Sequence, residues 1–191
     1  MVQIGDSFAN PVTKERFVWR ATTSSTGGDY CEFDLHLGAG AKLAAAHRHP
    51  GQLETFSLIS GALEMQLAGQ RRSVAAGDEV VVPVGMAHAW GNVADEPAHV
   101  VVRPTPSLMI DEYFEAFCRI ASNGQANRLG LPKNPLQFAV LIDRHRDEFA
   151  LPSPVAQAFA GPALRALAVI GRAAGFRSDG TRERRPGSTP R

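Results

Sequence analysis

Cysteine is scarce: Cys31 and Cys118 are the only two in 191 residues. Such sparse usage suits a reducing compartment, and no disulfide is expected. Charge of either sign is not in excess. Lys and Arg number 20 and Asp and Glu 19, a formal net charge of +1, so no strong electrostatic pull toward nucleic acid or membrane is expected. The opening residues MVQIGDSFANPVTKERF contain no apolar core of the secretory-signal kind, and no hydrophobic run reads as long enough to span a bilayer. Nothing resembles a nucleophile elbow, a phosphate-binding glycine loop or a dinucleotide fingerprint. No helix-turn-helix pattern precedes the first strands. The expectation is a cytoplasmic protein without nucleic-acid or membrane partners. With 44% hydrophobic and 20% charged residues, it has the composition of an ordinary globular chain.

Against that background, two short segments stand out. HRHPGQLE carries His47, His49 and Glu54, and PVGMAHAWGN carries His88. Three imidazoles and a carboxylate suit a divalent transition metal: iron, manganese, nickel, zinc, cobalt or copper. On a strand, His47 and His49 leave the same face. Pro50-Gly51 then permits a turn before Glu54, and residues 55–61 read as a strand closed by glycine. His88 lies 34 residues beyond Glu54, so only the tertiary fold can bring it to the others. A single histidine, or one His-x-His, is commonplace on surfaces and in cores; the surrounding glycines and prolines distinguish these.

The intervening chain has β rhythm. Residues 30–37 alternate, with Cys31, Phe33, Leu35 and Leu37 on one face. The runs 79–82 and 99–102 read as buried strands. Gly61, Gly69, Gly77, Gly85 and Gly91 supply turns, and residues 62–76 suffice for one hairpin turning at Ala68-Gly69-Gln70.

The spacing around the four candidate ligands is specific. The first segment runs Gly40, six residues, His47-x-His49, four residues, Glu54, six residues, Gly61. The second runs Gly77, five residues, Pro83-x-Gly85, two residues, His88, three residues, Asn92. Together they closely resemble the two motifs of the cupin superfamily, with one extra residue between Gly40 and His47. The resemblance covers roughly residues 16–104. It implies a mainly β fold, a jelly-roll or double-stranded β-barrel, with His47, His49, Glu54 and His88 as ligands of one metal ion. Inward parity then gives a pocket supplemented by Phe56, Met65 or Gln66, and Trp90, although Phe56 serves equally well as core. Arg103 and His99, near the barrel end, are candidates to meet an anionic substrate, and a solvated arginine is the plainer alternative.

After residue 107 the period becomes helical. Residues 108–121 place Met109, Tyr113 and Phe117 on one stripe. Asn134-Pro135 and Ser153-Pro154 are caps followed by proline at the first helical position, opening helices over 136–149 and 155–160. Gly161-Pro162 interrupts, and a last helix resumes over 163–174. The expected organisation is an N-terminal arm (1–15), the barrel (16–107), an α-helical C-terminal extension (108–176) and a disordered tail (177–191). The helices are expected on the outside of the barrel or in a homodimer interface; as an alternative, one closes the barrel mouth and Tyr113 or Phe114 touches substrate. His145, amid charges, reads as a solvated helix residue.

The resemblance implies a metal-dependent enzyme of the oxygenase or dioxygenase kind, acting on a small chelating organic substrate. Glu54 would be a ligand able to detach and act as a base. Two alternatives stay open: non-redox isomerase or lyase chemistry, and a small-molecule-binding module without turnover.

Overall fold

Alternation of apolar and polar residues, joined by short apolar runs, makes antiparallel strands of about half of the first 105 residues. A computed structural model describes residues 1–41 and 46–183. Its strands are β1 (Ser7–Asn10), β2 (Glu15–Ala21), β3 (Glu32–Leu37), β4 (Leu53–Ser60), β5 (Ala62–Leu67), β6 (Gln70–Ala75), β7 (Glu79–Val82), β8 (His88–Gly91) and β9 (Ala98–Thr105). Helices α1 (Ile110–Ser122), α2 (Pro135–Arg144) and α3 (Pro154–Ala173) follow.

The strands form a six-stranded sheet ordered β1-β2-β3-β9-β4-β7 and a three-stranded sheet ordered β6-β5-β8. Phe17, Trp19, Phe33, Leu35, Met65 and Val100 fill one shared core. This is the β-rich fold with a C-terminal helical extension that the sequence pattern implies. The β5–β6 hairpin turns on Ala68 and Gly69 at φ 49° and 85°, a two-residue turn, and Gln70 opens β6 instead of completing the turn. At Gly61 a Cβ would lie 2.6 Å from the Pro97 carbonyl oxygen, so no side chain fits where β4 bends into β5.

Several elements differ from expectation. The sheet begins before residue 16, because β1 pairs with β2 from Ser7↔Val18 to Asn10↔Glu15. Strands β7 and β9 are covered on one face only: Val81 is exposed, whereas Val80 and Val82 are buried. A continuous apolar run marks a strand but does not say that both faces are covered. Helix α2 ends at Arg144, so His145 becomes its C-cap and turns inward, 2% exposed, opposite Glu148 and Tyr113. Helix α3 runs unbroken through Gly161-Pro162; the ring sits on its exposed side, where the lost amide bond faces water. By length and composition α3 is also long and apolar enough to cross a membrane, with mean hydropathy 1.2. Of the expected tail, residues 177–183 are folded back, with Phe176 bridging Arg182; the rest lies outside the described residues.

Helix α1 is fastened to the barrel by aromatic packing. Phe114 stacks on Phe17 at 4.4 Å and meets the edge of Phe33 at 5.4 Å. Burial of one such ring contributes roughly 2–3 kcal/mol. Helix α3 packs on α2 through Gly171, where a Cβ would come within 2.7 Å of Val140 Cγ2. Asn134 and Ser153 cap α2 and α3 as expected. Cys31 and Cys118 are free, buried thiols.

Candidate metal centre

Three pieces of backbone converge at one end of the barrel. His47 and His88 face each other in a two-way bridge, His47 N donating to the His88 carbonyl at 3.0 Å and His88 N to the His47 carbonyl at 2.8 Å. Gly85 N donates to the His49 carbonyl at 2.8 Å, which ties the second motif to the first. Glu54 stands near the start of β4, opposite Val82 on one side and Pro104 on the other.

The side chains meet in a tight knot. His49 Nε2 and His88 Nε2 lie 3.1 and 3.0 Å from Glu54 Oε2, and His47 Nε2 lies 3.1 Å from His49 Nε2. One ligand-competent atom from each of the four residues falls within 4.8 Å of every other. His49, Glu54 and His88 are buried, and His47 is half-buried. Tautomers follow from the outer contacts. A carbonyl only accepts, so His49 Nδ1–H donates to the Glu148 carbonyl at 2.6 Å and His88 Nδ1–H to the Met86 carbonyl at 3.1 Å. Each ring thereby turns the Nε2 lone pair toward the knot, the arrangement that orients imidazole ligands.

This geometry tests whether a cation fits. With their Nδ1 protons committed, His49 Nε2 and His88 Nε2 present lone pairs to an anionic oxygen, and such acceptors repel unless a positive charge lies among them. A proton or a metal ion meets that need. Ligand atoms about 2.1 Å from one ion and at right angles are about 3.0 Å apart, close to the separations observed. The donor set therefore fits a divalent metal site. Burial by itself would lower His49 and raise Glu54. The attraction between them is stronger, so His49 is raised and Glu54, beside both His49 and His88, is held well below the usual carboxylate range.

The knot forms part of the wall of a cavity of about 200 Å³. His47, Glu54 and Trp90 stand on the barrel side. Tyr113 and Phe114 of α1, Ile142 of α2 and Phe149 form much of the other side, so the helical extension roofs the barrel mouth. Of the side chains expected around the pocket, Trp90 lines the cavity. Phe56 and Met65 point inward but are packed into the core, outside the lining. Gln66 is exposed on the opposite face of β5, as the strand period requires once Met65 is inside. Arg103 also points outward: its Nε donates to Glu32 Oε2 at 2.8 Å and its guanidinium covers Tyr30. His99 is held on the same outer face, 2.6 Å from Asp34. Glu15 was not anticipated. It alternates inward with Phe17 and Trp19 on β2 and lines the cavity, a position that parity could have indicated.

Residues 33–103 match the family described as the cupin domain. This part of the chain is a cupin domain. Over 67 residues this cupin is 34% identical to polyketide synthase CurC of Streptomyces cyaneus, an alignment covering 32% of the chain and 44% of that protein. The chain thus spans under half the length of this curated relative. Among solved structures, a predicted oxalate decarboxylase from Thermotoga maritima superposes with TM-score 0.49 at 15% identity, covering 56% of the chain and 99% of that structure. A sugar phosphate isomerase from Silicibacter pomeroyi gives TM-score 0.45 at 23% identity, covering 51% of the chain and 62% of that structure.

Proposed function

We propose that this cupin is a metal-dependent enzyme of the oxygenase type, acting on a small organic substrate that chelates the metal through adjacent oxygens. The observation that carries the reading is the convergence of three imidazole nitrogens and one carboxylate oxygen on the wall of a largely apolar cavity. His47, His49, Glu54 and His88 would hold the ion. Bound there, a redox-active metal supplies oxygen chemistry and acidifies a chelated hydroxyl. Trp90, Tyr113 and Phe149 enclose the reacting group and exclude water. Glu54 would be the ligand able to detach from the ion and, once free, accept a substrate proton.

The cavity chemistry disfavours a phosphorylated substrate. Among the described residues its lining includes no Lys or Arg, and its polar side chains are Glu15, His47, Glu54, Trp90, Tyr113 and Gln157. An apolar, oxygen-bearing substrate suits it better, and the partial likeness to polyketide synthase CurC agrees with that. The test is oxygen consumption by iron-, manganese-, nickel- or copper-loaded protein with enediol, β-diketone and catechol substrates. Uptake dependent on both metal and substrate supports the reading; turnover without oxygen, in a zinc-loaded enzyme, replaces it with isomerase or lyase chemistry.

The homodimer is part of the same proposal. Along α3, Phe159, Val155 and Val169 are 81%, 66% and 61% exposed, and Gln157, Arg165 and Arg172 are the helix's only side chains that are polar or charged. An exposed apolar patch of a few hundred Å² or more commonly marks a protein interface. A second copy meeting it helix to helix would cover like with like. Light scattering should give the dimer mass for the native chain and the monomer mass for Phe159→Asp.

A further inference from the structure

The cavity has a second polar point besides the metal centre. Glu15 is 3% exposed, and its carboxyl accepts a hydrogen bond from Thr13 Oγ1 at 2.5 Å. Among the described residues no Lys, Arg or His lies within ion-pair distance of it. A buried carboxyl without a counter-charge is costly to keep, and such groups concentrate at functional sites. Desolvation raises Glu15 to about 7, although the bond from Thr13 acts to lower it.

Strand register separates Glu15 from the metal centre. Glu15 pairs with Leu37, which pairs with Ala98; Glu54 pairs with Pro104. The two carboxylates thus lie at levels six residues apart along β9, from position 98 to position 104. Rings occupy the space between. Tyr113 lies 4.2 Å from Phe149, and Phe149 lies 5.5 Å from His47. Near the metal end, Trp90 Nε1 is buried and has no hydrogen-bond partner among the described residues. The cavity is therefore polar at both ends and apolar in the middle.

We propose that the cavity takes an elongated substrate with chelating oxygens at one end, an apolar body, and a hydroxyl at the far end that hydrogen-bonds to Glu15. This rests on the metal-site reading above and extends it by naming Glu15 as a specificity-determining residue. The apolar body lies along Tyr113 and Phe149, and the indole N–H of Trp90 donates to an oxygen at the chelating end.

The probes are catechol, a series of 4-alkylcatechols of increasing chain length, and the matching 4-(ω-hydroxyalkyl)catechols with their terminal methyl ethers. Affinities for the metal-loaded full chain are measured by calorimetry at pH 8, where Glu15 is largely ionised and accepts. Alkylcatechols should bind more tightly than catechol. At one chain length the terminal hydroxyl should add about tenfold, the worth of one hydrogen bond to a charged group, and the methyl ether, which cannot donate, should lose that gain. Glu15→Leu should erase the hydroxyl advantage while preserving metal content and alkylcatechol affinity. The ligand comparison decides the matter in the native protein even if this variant does not fold. A hydroxyl without effect at every length, or an advantage that survives Glu15→Leu, overturns the proposal alone. If neither catechol nor any longer ligand binds the metal-loaded protein, the chelating-substrate reading falls with it.

Discussion

The ring of His49 is held from behind by the backbone carbonyl of Glu148, 2.6 Å from Nδ1 and 99 residues further along the chain. Through this contact the helical extension orients a residue of the barrel motif. Arg48 and Ala150 exchange two backbone hydrogen bonds beside it, at 3.1 and 2.9 Å. The extension is thus built into the candidate metal centre.

Glu148 also anchors the start of α1, accepting from Met109 N at 2.8 Å through Oε1. Burial works against its charge, but His145 and that amide keep its pKa below the ordinary carboxylate value. Glu148→Ala should cost about 2 kcal/mol of stability and weaken metal binding about tenfold, through lost positioning of His49. Glu148→Gln, which keeps an acceptor for Met109, should recover most of both. Chemical denaturation and competition with a chromophoric chelator measure the two effects.

Glu15 gives the protein a pH-dependent stability. Its pKa is raised by burial from 4.5 to about 7 in the folded chain, so the folded state holds the proton more firmly than the unfolded state. The resulting stabilisation is complete below pH 4.5 and is lost as the pH rises through about 7. The difference corresponds to about 3 kcal/mol. Glu15→Gln should flatten this part of the stability profile, which urea denaturation at several pH values between about 4 and 8 would show.

Arg103 and Gln66 should be silent. Both side chains point away from the cavity, and Arg103 is committed to Glu32 and Tyr30 on the outer face. Arg103→Ala and Gln66→Ala should change stability by at most about 0.5–1 kcal/mol and leave metal content and substrate affinity unaltered. A substrate affinity that drops severalfold in Arg103→Ala would restore an outward site for an anion.

Where burial follows a short period, residue order was enough to read it. Phe33, Leu35 and Leu37 are inside because an antiparallel sheet covers one face, and Glu54, Phe56 and Leu58 follow the same rule. The four clustered residues were legible because imidazoles and a carboxylate at fixed distances from turn glycines are a chemical signal as well as a pattern. The cavity roof was less so. Tyr113 and Phe149 reach the barrel mouth through tertiary packing, which helical periodicity does not encode. Parity alone could not choose between Met65 and Gln66, since neighbours on a strand take opposite faces. Glu15 lies on the inward parity of β2, but a carboxylate near a strand end reads as solvated until the cavity beside it is seen. His145 reads as solvated only on a helix that continues to 149; α2 stops at Arg144, five residues short of that, and the chain turns His145 into the core.

The most direct test is the metal content of the protein, purified without chelators or added metal, beside that of His47→Ala and His88→Ala. Elemental mass spectrometry should find close to one transition-metal ion per native chain, with the metal lost from both variants while circular dichroism shows the barrel still folded. A native protein that holds no metal even after reconstitution, or equal metal in both variants, would contradict the assignment of His47, His49, Glu54 and His88 as ligands.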